Sequence, residues 1–232
     1  VAFGNLNEMR AAMSDKTAAI LVEPIQGEGG INPASTAYLQ SLRDIADEFN
    51  TLLIFDEVQC GMGRSGKLFA YEIANVAPDI MGLAKGIGGG FPVGAVLATE
   101  KAASGMVPGT HGSTYGGNPL AMAAANAVLD VMLEKDFLAS VLKKGTKLKN
   151  DLVSLVEKHS TVLESVRGVG LMLGIKSVGP NLELMAAFRE NKLLTVVAGE
   201  NVVRVLPPLN VSEEEISEAV QKIDQTCSQV SS

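Results

Sequence analysis

At 232 residues and 47% hydrophobic, the chain is long enough to bury one large core or two modest ones. A net charge of −7 argues against a nucleic-acid partner, because such proteins concentrate Lys and Arg. No apolar run reaches the roughly 20 residues of a membrane span, no secretory signal pattern is seen, and two distant cysteines, Cys60 and Cys227, fit a reducing, cytoplasmic setting.

Residues 17–23 read as a buried strand ending in Glu23, and the glycine-rich stretch 24–30 follows as a loop. From Ser35 to Phe49, Tyr38, Leu39, Leu42, Ile45, Ala46 and Phe49 recur at helical spacing, and Asn50 stops that helix. Residues 51–55 supply the next strand. Strand, helix, strand in this order makes a βαβ unit, which predicts a parallel sheet. The stretch 60–66 is too rich in glycine for helix, and 79–84 and 93–98 read as two strands around Lys85 to Pro92.

A polar turn, 110–118, leads into Pro119, with Asn118 as N-cap and proline at the first helical position. The stretch 120–133 is apolar nearly all round, which predicts a buried helix. Near Asp136 the texture changes. An amphipathic, Lys-rich helix over 137–158 precedes strands at 162–166 and 169–175, a helix at 181–191, and strands at 193–197 and 202–206. Ser212 to Glu215 forms a capping box for a last helix whose inner face carries Ile216, Val220 and Ile223. The pattern predicts two α/β units, 1–137 and 138–232.

The apolar run 52–55 stops at Asp56, and a second, ending at Ala84, stops at Lys85. In an open α/β sheet the carboxyl ends of strands face the ligand crevice. A carboxylate and a lysine delivered there suit a carbonyl cofactor held through an amine. Ser113 and Thr114 put hydroxyls just before a helix N-terminus, a natural anion site. The glycines of 86–90 only partly echo a dinucleotide loop, lacking the helix and the acidic residue in register. His111, His159 and Cys60 suggest neither a metal site nor a nucleophile. The roles of Glu23 and Glu57 stay open.

Four motifs in order, Glu23-Pro-Ile-Gln-Gly-Glu28, Phe55-Asp-Glu-Val-Gln59, Leu83-Ala-Lys-Gly86 and Gly112-Ser-Thr-Tyr-Gly-Gly-Asn-Pro119, resemble the class III pyridoxal-phosphate aminotransferases, most closely their acetylornithine branch. The resemblance implies an aspartate aminotransferase (type I) α/β fold, with 1–137 as the C-terminal part of the large cofactor-binding domain and 138–232 as the small domain. It implies that Lys85 bonds the aldehyde of pyridoxal 5'-phosphate and, when freed by substrate, carries the proton. The resemblance implies that this amine is buried and serves as a base. Asp56, as a buried carboxylate, would keep the pyridinium nitrogen protonated. Gln59 would bond the phenolic oxygen, and Val58 would pack on the ring.

The resemblance further implies that Thr114 contacts the phosphate of a neighbouring subunit, so that a homodimer shares its sites, and that Ser113 lies near substrate. Glu28 would hold Arg204 until a carboxylate substrate takes that guanidinium in a bidentate fork. The implied reaction moves the δ-amine of N-acetylornithine to 2-oxoglutarate, a step of arginine biosynthesis. Ornithine, succinylornithine or 4-aminobutyrate as donor, and a non-catalytic paralogue, are the alternatives. A phosphate-cradling turn, a ring-stacking aromatic residue and an arginine for the substrate α-carboxylate, all expected of the family, are not found. The chain therefore reads as the C-terminal part of a longer enzyme, inactive alone.

Overall fold

The computed structural model describes residues 1–230. In chain order the first elements are α1 (Leu6–Ala12), β1 (Ala19–Val22), β2 (Ile25–Gln26), β3 (Asn32–Pro33), α2 (Thr36–Glu48), β4 (Leu52–Asp56) and α3 (Tyr71–Ala74). Then come β5 (Ile80–Leu83), a 3₁₀ turn (Lys85–Gly88), β6 (Ala95–Ala98), α4 (Glu100–Ala103) and α5 (Pro119–Met132). The remainder is α6 (Phe137–Lys158), β7 (Leu163–Val169), β8 (Met172–Ser177), α7 (Asn181–Glu190), β9 (Val196–Ala198), β10 (Val202–Val205) and α8 (Glu213–Val230).

Two compact units result: Val1–Pro24, Ala34–Met62 and Leu68–Lys135 form the first, while Ile25–Pro33, Gly63–Lys67 and Asp136–Ser232 form the second. Two short segments early in the chain thus fold with the second unit. The hairpin β2–β3 does so because Gly199 N–H donates to the Glu28 carbonyl (2.7 Å). Residues 63–67 do so because Arg64 donates to the carbonyls of Leu171 (3.2 Å) and Pro207 (2.5 Å).

In the first unit the sheet order is β1-β4-β5-β6. β1, β4 and β5 run parallel, as the βαβ pattern predicts, and β6 lies antiparallel to β5. Ser35 caps α2, its Oγ accepting from Tyr38 N–H (3.1 Å). The predicted apolar stripe of α2 covers one sheet face, burying Leu42 and Ile45 with Ile20, Leu53 and Phe55. Each such side chain removed from water stabilises by about 2 kcal/mol.

Strand alternation puts Leu21, Ile54, Ile80, Asp56, Gly82 and Val96 on the opposite face. That face is bare among the described residues, with Leu21 68% and Val96 75% exposed. The buried helix expected over 120–133 is corrected here. Only Ala121, Ala125 and Met132 of α5 are buried, while Leu120 and Leu133 are 65% and 63% exposed. Apolar composition on every side announces that a helix needs covering, not which element covers it. Here α5 packs a narrow face on the 3₁₀ turn.

The second unit is an antiparallel sheet, β7-β8-β10-β9. Val141, Leu148 and Leu152 of α6, Phe188 of α7 and Ile216 and Ile223 of α8 share a core with Leu173, Ile175 and Val203. The capping box forms: Ser212 Oγ accepts from Glu215 N–H (3.1 Å), and a Glu215 carboxylate oxygen accepts from Ser212 N–H (2.8 Å). The strand expected at 193–197 begins only at Val196, after a turn with Lys192 in the left-handed region (φ 59°).

Candidate active site

β4 ends at Asp56, which pairs in register with Gly82 of β5. Neighbours in register on parallel strands project to the same face, and a Cβ built on Gly82 meets nothing within 4 Å. Open space therefore lies beside the Asp56 carboxylate. Asp56 Oδ1 accepts from Val58 N–H (2.9 Å), a short turn that orients the carboxylate at the strand end. Three residues beyond Gly82 stands Lys85, with φ 49°. A non-glycine residue held in the left-handed region costs about 1–3 kcal/mol and is concentrated at functional sites.

Lys85 is exposed and Asp56 half-buried. The buried amine and buried carboxylate expected of this pair are not what the described residues show: the carboxylate stands at the end of β4 and the amine opens the 3₁₀ turn after β5. Val58 and Gln59 are half-buried in the turn after Asp56.

Glu57, next in sequence, points the opposite way and is fully buried. Its carboxylate accepts from Ala70 N–H (2.5 Å) and Tyr71 N–H (2.8 Å) at the start of α3. Burial pushes its pKa up to about 7, against the pull of these two N–H donors, and Glu72 adds to the rise. Its backbone N–H donates to Gly82 O (3.0 Å), so Glu57 fastens the turn carrying Asp56 and Gln59 to β5 and α3. The role left open for Glu57 in the sequence is thus that of a structural hydrogen-bond acceptor. The available signal was parity, since two adjacent acids after a strand must face opposite sides.

Ser113 and Thr114 stand exposed in the turn before α5. Ser113 Oγ accepts from Gly116 N–H (2.9 Å), and Asn118 caps α5 by accepting from Ala121 N–H (2.9 Å). Glu28 and Arg204 belong to the second unit, where they meet as an ion pair at 2.5 Å. The pair is lopsided, the arginine side chain being 10% exposed and the glutamate side chain 74%. Arg204 Nη2 also donates to Val197 O (3.0 Å).

The α/β sheet thus brings a carboxylate and a lysine in the left-handed region to the carboxyl ends of adjacent parallel strands. The chain belongs to the class III aminotransferases, whose family model, "Aminotransferase class-III", matches residues 2–227. It is 55% identical over its whole length to acetylornithine aminotransferase 1 of Bradyrhizobium diazoefficiens, of which it covers 57%. It is 53% identical, over 95% of its length, to the acetylornithine aminotransferase of Clostridium acetobutylicum, again covering 57%. The chain thus spans little more than half the length of these curated relatives.

Among solved structures, N-acetylornithine aminotransferase from Stenotrophomonas maltophilia superposes with a TM-score of 0.90 at 35% identity, covering 99% of this chain and 62% of that one. An ornithine aminotransferase from Toxoplasma gondii, described with partial occupancy of PLP at its active site, gives 0.94 at 31% identity, covering 100% of this chain and 55% of that one. The fold is accordingly that of the type I aminotransferases.

Proposed function

We propose that this chain carries the lysine, ring-nitrogen partner and carboxylate gate of a pyridoxal-phosphate-dependent aminotransferase that moves the δ-amine of N-acetylornithine to 2-oxoglutarate. The observation that carries the reading is the placement of Asp56 and Lys85 at the carboxyl ends of adjacent parallel strands, with open space over Gly82 between them. The donor set fits the cofactor: one anion for a pyridinium, one amine for an aldehyde, and open space over Gly82. When bound, pyridoxal 5'-phosphate supplies an electrophilic aldehyde and a ring that takes up an electron pair.

Each protein group then has a task. With the cofactor bound, Asp56 would hold the proton on the ring nitrogen, Gln59 would hydrogen-bond the phenolic oxygen, and Val58 would pack on the ring. The Lys85 amine would hold or move the proton at the reacting carbon. Thr114 binds the phosphate of a neighbouring subunit and Ser113 lies near substrate, both at a helix N-terminus suited to anions. The exposed turn bearing them and the exposed apolar side of α5 support a homodimer with shared sites. Glu28 neutralises Arg204 while the amine-bearing end of the donor is in place, and yields it to the carboxylate of 2-oxoglutarate or glutamate.

The bare sheet face and the relatives' greater length support the view that further residues of the enzyme complete this site, so the chain alone is expected to turn over poorly. No helix among the described residues is long and apolar enough to cross a membrane, which accords with a cytoplasmic enzyme. The ornithine reading draws on the Toxoplasma likeness. Identity of 55% to an acetylornithine aminotransferase outweighs a TM-score difference of a few hundredths. Half-reaction rates of the cofactor-loaded enzyme with N-acetylornithine, N-succinylornithine, ornithine and 4-aminobutyrate test the proposal. N-acetylornithine is expected to be fastest, with 2-oxoglutarate restoring the starting spectrum. Faster reaction of any other amine overturns the substrate assignment.

A further inference from the structure

The hairpin that presents Glu28 is fixed far more firmly than the exposure of its carboxylate suggests. Ile31 is fully buried and has φ 53°, a backbone conformation that β-branched residues avoid. Its side chain occupies notches left by two glycines of the second sheet. A Cβ on Gly168 would come within 3.0 Å of Ile31 Cγ2, and one on Gly174 within 3.0 Å of Ile31 Cγ1. Strain of this kind persists only where the surroundings over-determine it.

Polar contacts close the other side. Arg167 of β7 donates through Nη1 to Asn32 Oδ1 (2.7 Å) and pairs with Glu200 in the β9–β10 turn. Asn32 Nδ2 donates to Gly29 O (3.1 Å) and reaches Glu200 Oε1 (3.4 Å). Gly199 N–H holds the Glu28 carbonyl at 2.7 Å. The backbone is tied immediately at Glu28 and again at residues 29, 31 and 32. The Glu28 carboxylate extends from this tied backbone to a guanidinium that is buried and also held by Val197 O.

We propose that Ile31, Asn32 and Arg167 are positioning residues that set how strongly Glu28 competes with a substrate carboxylate for Arg204. The inference rests on the Glu28–Arg204 reading given under Proposed function. A fixed hairpin gives Glu28 a high effective concentration at Arg204. Loosening it weakens the internal competitor and leaves the arginine in place, so an external dicarboxylate gains.

The test uses the whole cofactor-loaded enzyme, with Arg167→Met and Asn32→Ala as loosening variants and Glu28→Gln as the ceiling. Glutarate, which cannot transaminate, is titrated by calorimetry. Its Kd is expected to fall at least threefold in both variants, with Arg167→Lys recovering part of the way to wild type. The ratio of kcat/KM for N-acetylornithine to that for glutamate is expected to fall at least fivefold, because glutamate profits from a freer Arg204. An unchanged or raised glutarate Kd, or equal losses with both amines, overturns the positioning role, since a general packing defect would produce those results. If Glu28→Gln itself leaves glutarate binding unaltered, the gate reading fails and the positioning role falls with it. The buried Ile31 is left intact in this test, so poor folding of a core variant does not blur the outcome.

Discussion

Glu57→Gln separates the charge of a buried carboxylate from its shape. In the protein both oxygens of Glu57 accept backbone N–H bonds, at 2.5 Å from Ala70 and 2.8 Å from Tyr71. Glutamine keeps one acceptor and turns an amide donor toward the other N–H. One hydrogen bond is lost and a buried donor is stranded, a cost of about 1–3 kcal/mol. Against this, the wild-type group is harder to ionise when folded, its pKa rising from 4.5 to about 7 because of burial. A folded pKa above the unfolded one gives stability that is complete below pH 4.5 and is lost as pH rises through 7.

Between pH 5 and 8 the wild type should therefore lose roughly 2–3 kcal/mol that the glutamine variant, having nothing to titrate, does not. Glu57→Gln is expected to be clearly weaker at pH 5 and nearly equal at pH 8. All three tyrosines, Tyr38, Tyr71 and Tyr115, lie in the first unit and the chain has no Trp. Urea unfolding followed by tyrosine fluorescence therefore reports on the unit concerned. Parallel stability curves for the two proteins across pH 5–8 would refute the reasoning.

Asp79 joins three strands. Its carboxylate accepts from Leu53 N–H and Arg43, both at 2.8 Å, and its backbone bonds Leu53 O and Thr99 N–H. Asp79→Ala, measured by the same unfolding assay, should cost about 2–3 kcal/mol by stranding the buried Leu53 N–H, and Asp79→Asn about half that. Burial raises the Asp79 pKa, but the bonds from Leu53 and Arg43 and the nearby positive charge bring it below its usual value. Its contribution is thus present above the unfolded pKa and lost as pH falls through the folded one. In the second unit, a Cβ on Gly145 of α6 would lie 2.3 Å from the Gly170 backbone. Gly145→Ala should therefore destabilise by at least about 1–3 kcal/mol through overpacking, despite alanine's better helix propensity. A stabilised variant in thermal unfolding would contradict that close approach.

How far the sequence could be read follows from where each signal lies. The places of Asp56 and Lys85 just at or after strand ends were legible because both end short apolar runs, and the caps at Asn118 and Ser212 are local chemistry. The α2 stripe follows from spacing alone, and the core confirms it. Burial could not be read in the same way. Periodicity gives a residue's face but not what covers it, so Lys85 and most of α5 proved exposed. The pairing of Glu28 with Arg204 joins positions 176 residues apart and came from family likeness, not from any pattern. The attachment of the β2–β3 hairpin to the second unit was hidden for the same reason. Its partners, Gly168, Gly174 and Gly199, look like ordinary turn and strand glycines until Ile31 and Glu28 are set against them.

The most direct test of the central claim is chemical. The whole enzyme, loaded with pyridoxal 5'-phosphate and reduced with borohydride, is digested and its pyridoxyl-lysine peptide sequenced by mass spectrometry. A single label is expected, on Lys85, absent from a Lys85→Ala variant. A label on another lysine, or one that persists in that variant, would contradict it.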